Sequence, residues 1–188
     1  MIVRTARPAE AAAVGDLRVS AYQAQHLLTA NPGYAGSLRA LGFGGHGTVL
    51  VAVGGDGQGD TDGPAIVPAP ADGRLLGTVM YEPWHPGSEV ARRPDEAEVR
   101  ALAVAPQAQG QGVGRALMRA VIDQACSGGV ARLLLSTQPA MKTAQHLYRS
   151  LGFARAPELD WTPVPGVTLL GFALSITRND RRNRRNRA

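Results

Sequence analysis

Residues 109–115 read Gln109-Gly110-Gln111-Gly112-Val113-Gly114-Arg115, with glycine at every second position. The stretch follows the apolar run 101–106 and precedes the helix-like segment 116–125. A glycine-rich turn between a strand and a helix is built to approach an anion closely. The first amides of a helix have no partner inside it, the helix dipole is positive there, and glycine removes the Cβ atoms that would hold a phosphate off. The P-loop pattern fails here, because no Gly-Lys-Ser/Thr closes the stretch, and the dinucleotide pattern fails because Arg115 stands at the third glycine position. A literal G-x-G-x-x-G does occur at Gly42-Phe43-Gly44-Gly45-His46-Gly47. It precedes a strand instead of following one, so it reads as a loop.

Working outward, the β-branched and apolar runs predict strands over 2–6, 48–53, 74–82, 97–105 and 131–137, with two closing strands in 153–161 and 168–176. Helices are expected from Pro8 into 9–28, in a short piece within 31–47, over 113–126, and over 140–152. In the third, Val113, Ala116, Leu117, Ala120, Val121 and Ala125 fall on one apolar face, and Gly128 and Gly129 end it. The segment 97–137 is a strand–helix–strand unit, so its two strands should be parallel. The Gly/Asp/Pro-rich segment 54–73 reads as a long loop at the tip of a hairpin.

A second pattern lies downstream: Ala144-Gln145-His146-Leu147-Tyr148-Arg149-Ser150-Leu151-Gly152-Phe153. Together with Gln109-x-x-Gly112-x-Gly114, it resembles the paired motifs of the GNAT family of acetyl-CoA-dependent N-acetyltransferases. The likeness covers roughly 97–175; over 1–96 only the order of elements agrees. It implies an α/β (α+β) GNAT-type fold. Such a fold has a central mixed, twisted sheet of about six to seven strands with a splayed parallel pair, flanked by about four helices.

The resemblance implies roles residue by residue. The backbone of Leu102, Ala103 and Val104 would pair with the pantetheine arm of acetyl-CoA, the cosubstrate. Gln109, Gly110, Gln111, Gly112, Val113, Gly114 and Arg115 would hold its pyrophosphate, and Ala144 and Tyr148 complete the cofactor set. Tyr148 would protonate the departing thiolate, and Glu98 would deprotonate the acceptor ammonium. Without such a base, an amine with a pKa near 10 stays protonated at neutral pH and cannot attack a thioester. The amide of Val104 would assist the developing oxyanion. Many members carry asparagine where this chain has Met141, so that contact must be absent here or made by Thr137 or Gln138. Strand alternation places Glu98, Arg100, Leu102 and Val104 on one face unless a bulge intervenes. A structural reading of each residue stays open: a core aromatic for Tyr148, a strand-end carboxylate for Glu98. Glu82 and Glu96 are further carboxylates within reach by sequence.

Composition bounds the rest. One cysteine, Cys126, excludes an internal disulfide and a cysteine metal cage, and it reads as a buried thiol. His26, His46, His85 and His146 show no metal spacing, and Asp56, Asp60 and Asp62 do not form a calcium loop; no metal is expected. Trp84 and His85 suit loop packing, with a pocket role as the alternative. No apolar run is long enough for a membrane helix, and 1–10 lacks the apolar core of a signal peptide, so a cytoplasmic protein without a membrane partner is expected.

The net charge of +5 sits entirely in 178–188, where six arginines oppose Asp180. We therefore expect one acetyltransferase domain over 1–177 and a basic, disordered tail over 178–188. A nucleic-acid partner is not expected, apart from weak contact by that tail. The acceptor is a primary amine on a small molecule or peptide, and a homodimer is compatible with the likeness. The alternative is a non-catalytic, regulatory acyl-CoA binder.

Overall fold

The computed structural model describes residues 1–29, 31–54, 73–177 and 180. The expected loop 54–73 and the tail 178–188 therefore lie, apart from Gly54, Gly73 and Asp180, outside the described residues. Eight strands form one mixed sheet: β1 (Ile2–Thr5), β2 (Thr48–Gly54), β3 (Arg74–Pro83), β4 (Glu96–Val104), β5 (Arg132–Thr137), β6 (Ala154–Arg155), β7 (Trp161–Val164) and β8 (Val167–Ser175). Their order is β1-β2-β3-β4-β5-β8-β6, with β7 paired to β8. Four α-helices accompany them among the described residues: α1 (Ala11–Gln23), α2 (Tyr34–Ala40), α3 (Val113–Ser127) and α4 (Lys142–Ser150). The mixed GNAT-type sheet is thus borne out, one strand larger than expected.

β2 is apolar along its whole length because both of its faces are covered, and Val49 through Val53 are all buried. α3 buries Val113, Leu117, Val121 and Ala125 of the expected stripe; Ala116 and Ala120 are only half-buried, and Met118 and Ile122, outside that stripe, are buried beside it. Gly129, at φ 77, ends it in the left-handed conformation that glycine adopts without strain. Gly15 breaks the helical composition of α1 for a packing reason. A Cβ there would stand 3.0 Å from the carbonyl oxygen of Arg39, so glycine lets α1 and α2 cross closely.

Arg18, fully buried on α1, crosses to the end of α2 and donates from Nη1 to the carbonyls of Leu41 at 2.6 Å and Leu38 at 3.4 Å. A cation at a helix C-terminus caps its free carbonyls and opposes the negative end of the dipole. Burial nonetheless lowers the guanidinium pKa to about 10.

The expected strand 153–161 is corrected. Only Ala154–Arg155 pairs with β8; Pro157–Leu159 forms a 3-10 turn, and β7 then makes a hairpin with β8. Pro157 cannot donate a ladder hydrogen bond, and it sits at the start of the turn, where a missing N–H costs nothing. Asp160 locks the turn to β8 by accepting the amide of Gly171 at 2.7 Å and two guanidinium hydrogen bonds from Arg155.

Candidate active site at the splay between β4 and β5

β4 and β5 are parallel, as the strand–helix–strand reading requires, but they pair only from Glu96↔Arg132 to Val99↔Leu135. Beyond Val99, β4 runs on to Val104 with its other edge on β3 alone. The edge of 100–104 that turns toward β5 is therefore free.

A bulge accompanies the split. Gly77 and Met80 are three residues apart on a regular stretch of β3, so they face opposite sides, and they oppose Val104 and Arg100 of β4. Val104 and Arg100 are four apart, which unbroken alternation would put on one face. β4 therefore holds one extra residue, centred on Ala101, whose φ of 50 is unusual for a residue with a side chain. The expectation of one face for Glu98, Arg100, Leu102 and Val104 is corrected: Glu98 and Arg100 share a face, and Val104 lies on the other. A Cβ on Gly114 of α3 would stand 3.6 Å from Val104 Cγ2 on that far side.

The mouth of α3 opens beside the free edge. Its N-cap is Gly112, at φ 80, with no side chain capping the helix. The first amide of this region to bond within the helix belongs to Ala116, which donates to the Gly112 carbonyl at 3.0 Å. None of the backbone amides from Gly110 to Arg115 has a partner among the described residues. A Cβ built on Gly110 or Gly112 would meet nothing within 4 Å. These glycines are thus not there for tight packing against the protein; they leave open space in front of unpaired donors. Gly114 differs, since its Cβ would come within 3.3 Å of Leu147 Cδ2 on α4. Gln109, Gly110, Gln111 and Gly112 are exposed, and Arg115 donates to Ser150 Oγ at 2.9 Å across to α4.

On the other side of the splay, a cavity of about 120 Å³ lies between the end of α1, the start of α2, the bulged part of β4, the end of β5 and the β7–β8 hairpin. Glu98, Thr137, Gln138 and Met141 line it, and all four were singled out from the sequence. Arg100, placed on the face of Glu98 by strand alternation, also lines it, as do Tyr22, Tyr34, Glu89 and Trp161, which no sequence signal marked.

Glu98 is buried. Its Oε1 accepts the amides of Val90 and Ala91, each at 2.6 Å, and its Oε2 is buried with no hydrogen-bond partner. The strand-end carboxylate reading is thus half right: the group anchors the 83–96 loop, but it is shut away from solvent and is not paired with Arg100. Arg100 instead bonds Glu82 at 3.0 Å through Nη1 and Glu89 through Nη2. Burial pushes the Glu89 carboxyl up, Arg100 pulls it down, and Glu98 and Glu82 push it up again. Glu96 is occupied elsewhere, by the amides of Arg92 and Arg93 and by the guanidinium of Arg132.

Tyr148 lies outside the cavity lining, buried near the rings of Phe153 and Phe172. Its hydroxyl has no hydrogen-bond partner among the described residues. Burial raises its pKa above 10.0, so the phenol is neutral and keeps its proton. Tyr22 links the two regions. It lines the cavity, and its pKa is raised by burial and by the nearby Tyr34 and Tyr148. Ala144 flanks the same helix, half-buried against the core. His85 and Trp84 do not line the cavity: Trp84 packs with Val90 and Ala91, and the His85 ring lies 4.6 Å from that of His46. No group of His, Cys, Asp and Glu suited to a metal ion occurs among the described residues. Cys126 is a buried thiol, as expected.

The model of the acetyltransferase (GNAT) family matches residues 47–153 of the chain. The chain belongs to the GNAT family. That match spans the glycine mouth, the splay and α4, but not α1, α2 or the β7–β8 hairpin, which supply the rest of the cavity lining. Among GNAT relatives, the chain is 38% identical over 101 residues to the mycothiol acetyltransferase of Cellulomonas flavigena, covering 52% of this chain and 29% of that protein. It is 34% identical over 97 residues to the streptothricin acetyltransferase of Streptomyces lavendulae, covering 50% and 47%. Over 62 residues it is 45% identical to the ribosomal protein bS18-alanine N-acetyltransferase of Escherichia coli, covering 33% and 42%. The chain thus spans less than half the length of each of these relatives.

Solved structures agree in fold over nearly the whole chain. A GCN5-related N-acetyltransferase from Kribbella flavida superposes with a TM-score of 0.60 at 25% identity, covering 93% of this chain and 97% of that one. yncA from Salmonella typhimurium, solved with its cofactor acetyl-CoA, gives 0.59 at 21% identity and 95% coverage of both chains.

Proposed function

We propose that this chain is an acetyl-CoA-dependent N-acetyltransferase acting on a primary amine, with 1–177 as one catalytic domain. The observation that carries the reading is the row of unpaired amides at 110–115, opening into empty space beside the free edge of β4. The donor chemistry suits a pyrophosphate: several N–H groups converge at a helix mouth where the dipole favours negative charge. Gln109 to Arg115 would hold that group, and the main chain of Leu102, Ala103 and Val104 would take the pantetheine amides as an added strand does. Ala144 and Tyr148 would border the thioester end. Bound there, acetyl-CoA supplies an activated acetyl group.

The chain's own residues do the rest. The splay holds amine and thioester at one point, which replaces a bimolecular encounter by an oriented one. The nitrogen forms its bond to the acetyl carbon as the carbon–sulfur bond breaks. Of the two protons the ammonium must lose, one leaves through Glu98 Oε2, buried and unpartnered at the cavity wall, and reaches solvent. The other is matched by the proton that Tyr148 delivers to the sulfur. The amide of Val104 would stabilise charge on the acetyl oxygen. The relatives named above fit this reaction class, with acceptors as different as a small molecule and a ribosomal protein.

One observation favours the non-catalytic acyl-CoA binder instead: Glu98 already uses one oxygen to anchor the 83–96 loop. Two measurements separate the readings. Calorimetry with CoA tests the mouth, and absence of binding at millimolar ligand would sink both. Thiol release from acetyl-CoA over a panel of amines tests transfer; CoA binding with no turnover of any amine would leave the binder.

A further inference from the structure

The cavity beside Glu98 also constrains which amine it can take; this rests on the acetyl-transfer reading. Its lining holds two carboxylates, Glu89 and Glu98, and one cation, Arg100. Both terminal nitrogens of Arg100 are occupied, by Glu82 and by Glu89. Glu82 stands directly across from Glu98 in the β3–β4 register, so three carboxylates surround one guanidinium. Arg18 is not part of the lining and turns Nη1 to the carbonyls of Leu38 and Leu41, and His85, whose Nε2 lies 3.4 Å from Glu82 Oε1, is not part of it either.

A ligand carboxylate entering this space would therefore meet a guanidinium already shared by two carboxylates, with a third carboxylate beside them. It would also approach Glu98, which lines the cavity and whose Oε2 is buried and has no donor. A like charge brought to such a group is repelled. An ammonium in the same place gives that oxygen its missing partner as a charge-assisted hydrogen bond. The upward push of Glu82 and Glu98 on the Glu89 carboxyl reports the same surplus of negative charge.

The remaining walls mix apolar and aromatic side chains, Tyr22, Tyr34, Leu27, Leu169 and Trp161, with the neutral polar groups of Asn31, Ser136, Thr137 and Gln138. Trp161 is held in place by its Nε1, which donates to Ser136 Oγ at 3.1 Å. Aromatic faces of this kind suit a ring or an alkyl chain, and they also favour a neighbouring cation. The volume of about 120 Å³ is several times the ~10–15 Å³ that one water needs by the same measure, enough for the arm of a small amine.

We infer that the acceptor is a primary amine with an apolar body and no carboxylate on the carbon bearing the nitrogen. An arylalkylamine and an amide-blocked amino terminus both have this chemistry; a free α-amino acid does not.

The test compares tyramine, tyrosine amide and tyrosine, which share one ring and differ at that carbon. Affinities are measured by calorimetry on the full chain near neutral pH, with and without saturating CoA. Tyramine and tyrosine amide should bind at least about tenfold more tightly than tyrosine. Preference between the first two distinguishes a small-molecule acceptor from a peptide terminus. Tyrosine binding as tightly as tyramine overturns the inference, and so does a protein that binds none of the three. Failure of CoA to bind would instead end the acetyl-transfer reading, and the three-ligand comparison without CoA would still stand.

Discussion

Glu98 Oε1 accepts the amide of Ala91 at 2.6 Å, and this contact ties β4, at the point where it leaves β5, to the loop that closes the cavity. The amide of Val90 joins at the same oxygen and distance. One carboxylate thus anchors a loop with one oxygen and keeps the other buried and without a partner at a residue that lines the cavity, and the proposed proton transfer can be separated from the anchoring by substitution. Glu98→Gln keeps an oxygen for the two amides but cannot take up a proton. It should fold with a loss under about 1 kcal/mol, while kcat/KM falls by about 10²–10⁴ at neutral pH and recovers partly as pH approaches the amine pKa. Glu98→Ala leaves two amides unpaired and should cost about 1–3 kcal/mol for each that stays buried. Urea denaturation and a pH–rate profile read the two effects.

Tyr148→Phe tests the proposed acid. The hydroxyl has no partner to lose, so thermal stability and CoA affinity should hold while turnover drops by about 10²-fold or more. Burial raises the phenol pKa above 10.0. The wild-type rate profile should therefore show no falling limb from Tyr148 below that pH. Unchanged turnover in the variant would return Tyr148 to the role of a core aromatic.

Gly112 and Gly129 stand at opposite ends of α3, with φ of 80 and 77, and a Cβ on either would meet nothing within 4 Å. Gly112→Ala and Gly129→Ala should each lose about 1–2 kcal/mol to left-handed strain. Only the first puts a methyl group into the mouth, so only the first should weaken CoA binding, by about tenfold. Equal CoA affinities in the two variants would mean that the mouth does not hold the ligand.

Arg4 forks onto Glu10 at 2.7 and 2.8 Å, and that hydrogen bond is the main cause holding the Glu10 carboxyl at about 2 instead of 4.5. The folded pKa lies below the unfolded one, so the stabilisation is complete above about pH 4.5 and is lost as pH falls toward 2. Glu10→Gln should flatten the pH dependence of the urea midpoint across that window. A variant as acid-sensitive as the wild type would show that other carboxylates carry it.

Much of the fold was legible because it is written in local patterns. The α3 stripe from Val113 to Ala125 announces a buried helix face. The β-branched run of β2 announces a central strand, and the glycines from 110 to 114 announce a helix mouth that must stay open. Each of these follows from periodicity and from backbone freedom at single residues. The motifs at 109–115 and 144–153 resemble those of the family, and each is likewise a short local pattern.

Tertiary structure decided what depends on segments distant in the chain. The bulge at Ala101 moves Val104 off the face of Glu98, and alternation alone cannot reveal it, because an extra residue leaves no mark in hydrophobicity. Pro157 and the Asp160 lock turned an expected strand into a 3-10 turn and a hairpin, which brings Trp161 to the cavity. Tyr22 and Tyr34 read as ordinary helix residues until α1 and α2 set them opposite Trp161. The chain by itself established that a glycine-rich helix mouth adjoins a strand–helix–strand unit, because those constraints are local. Which charges meet around Arg100 was settled only when the fold brought separate elements within hydrogen-bond distance.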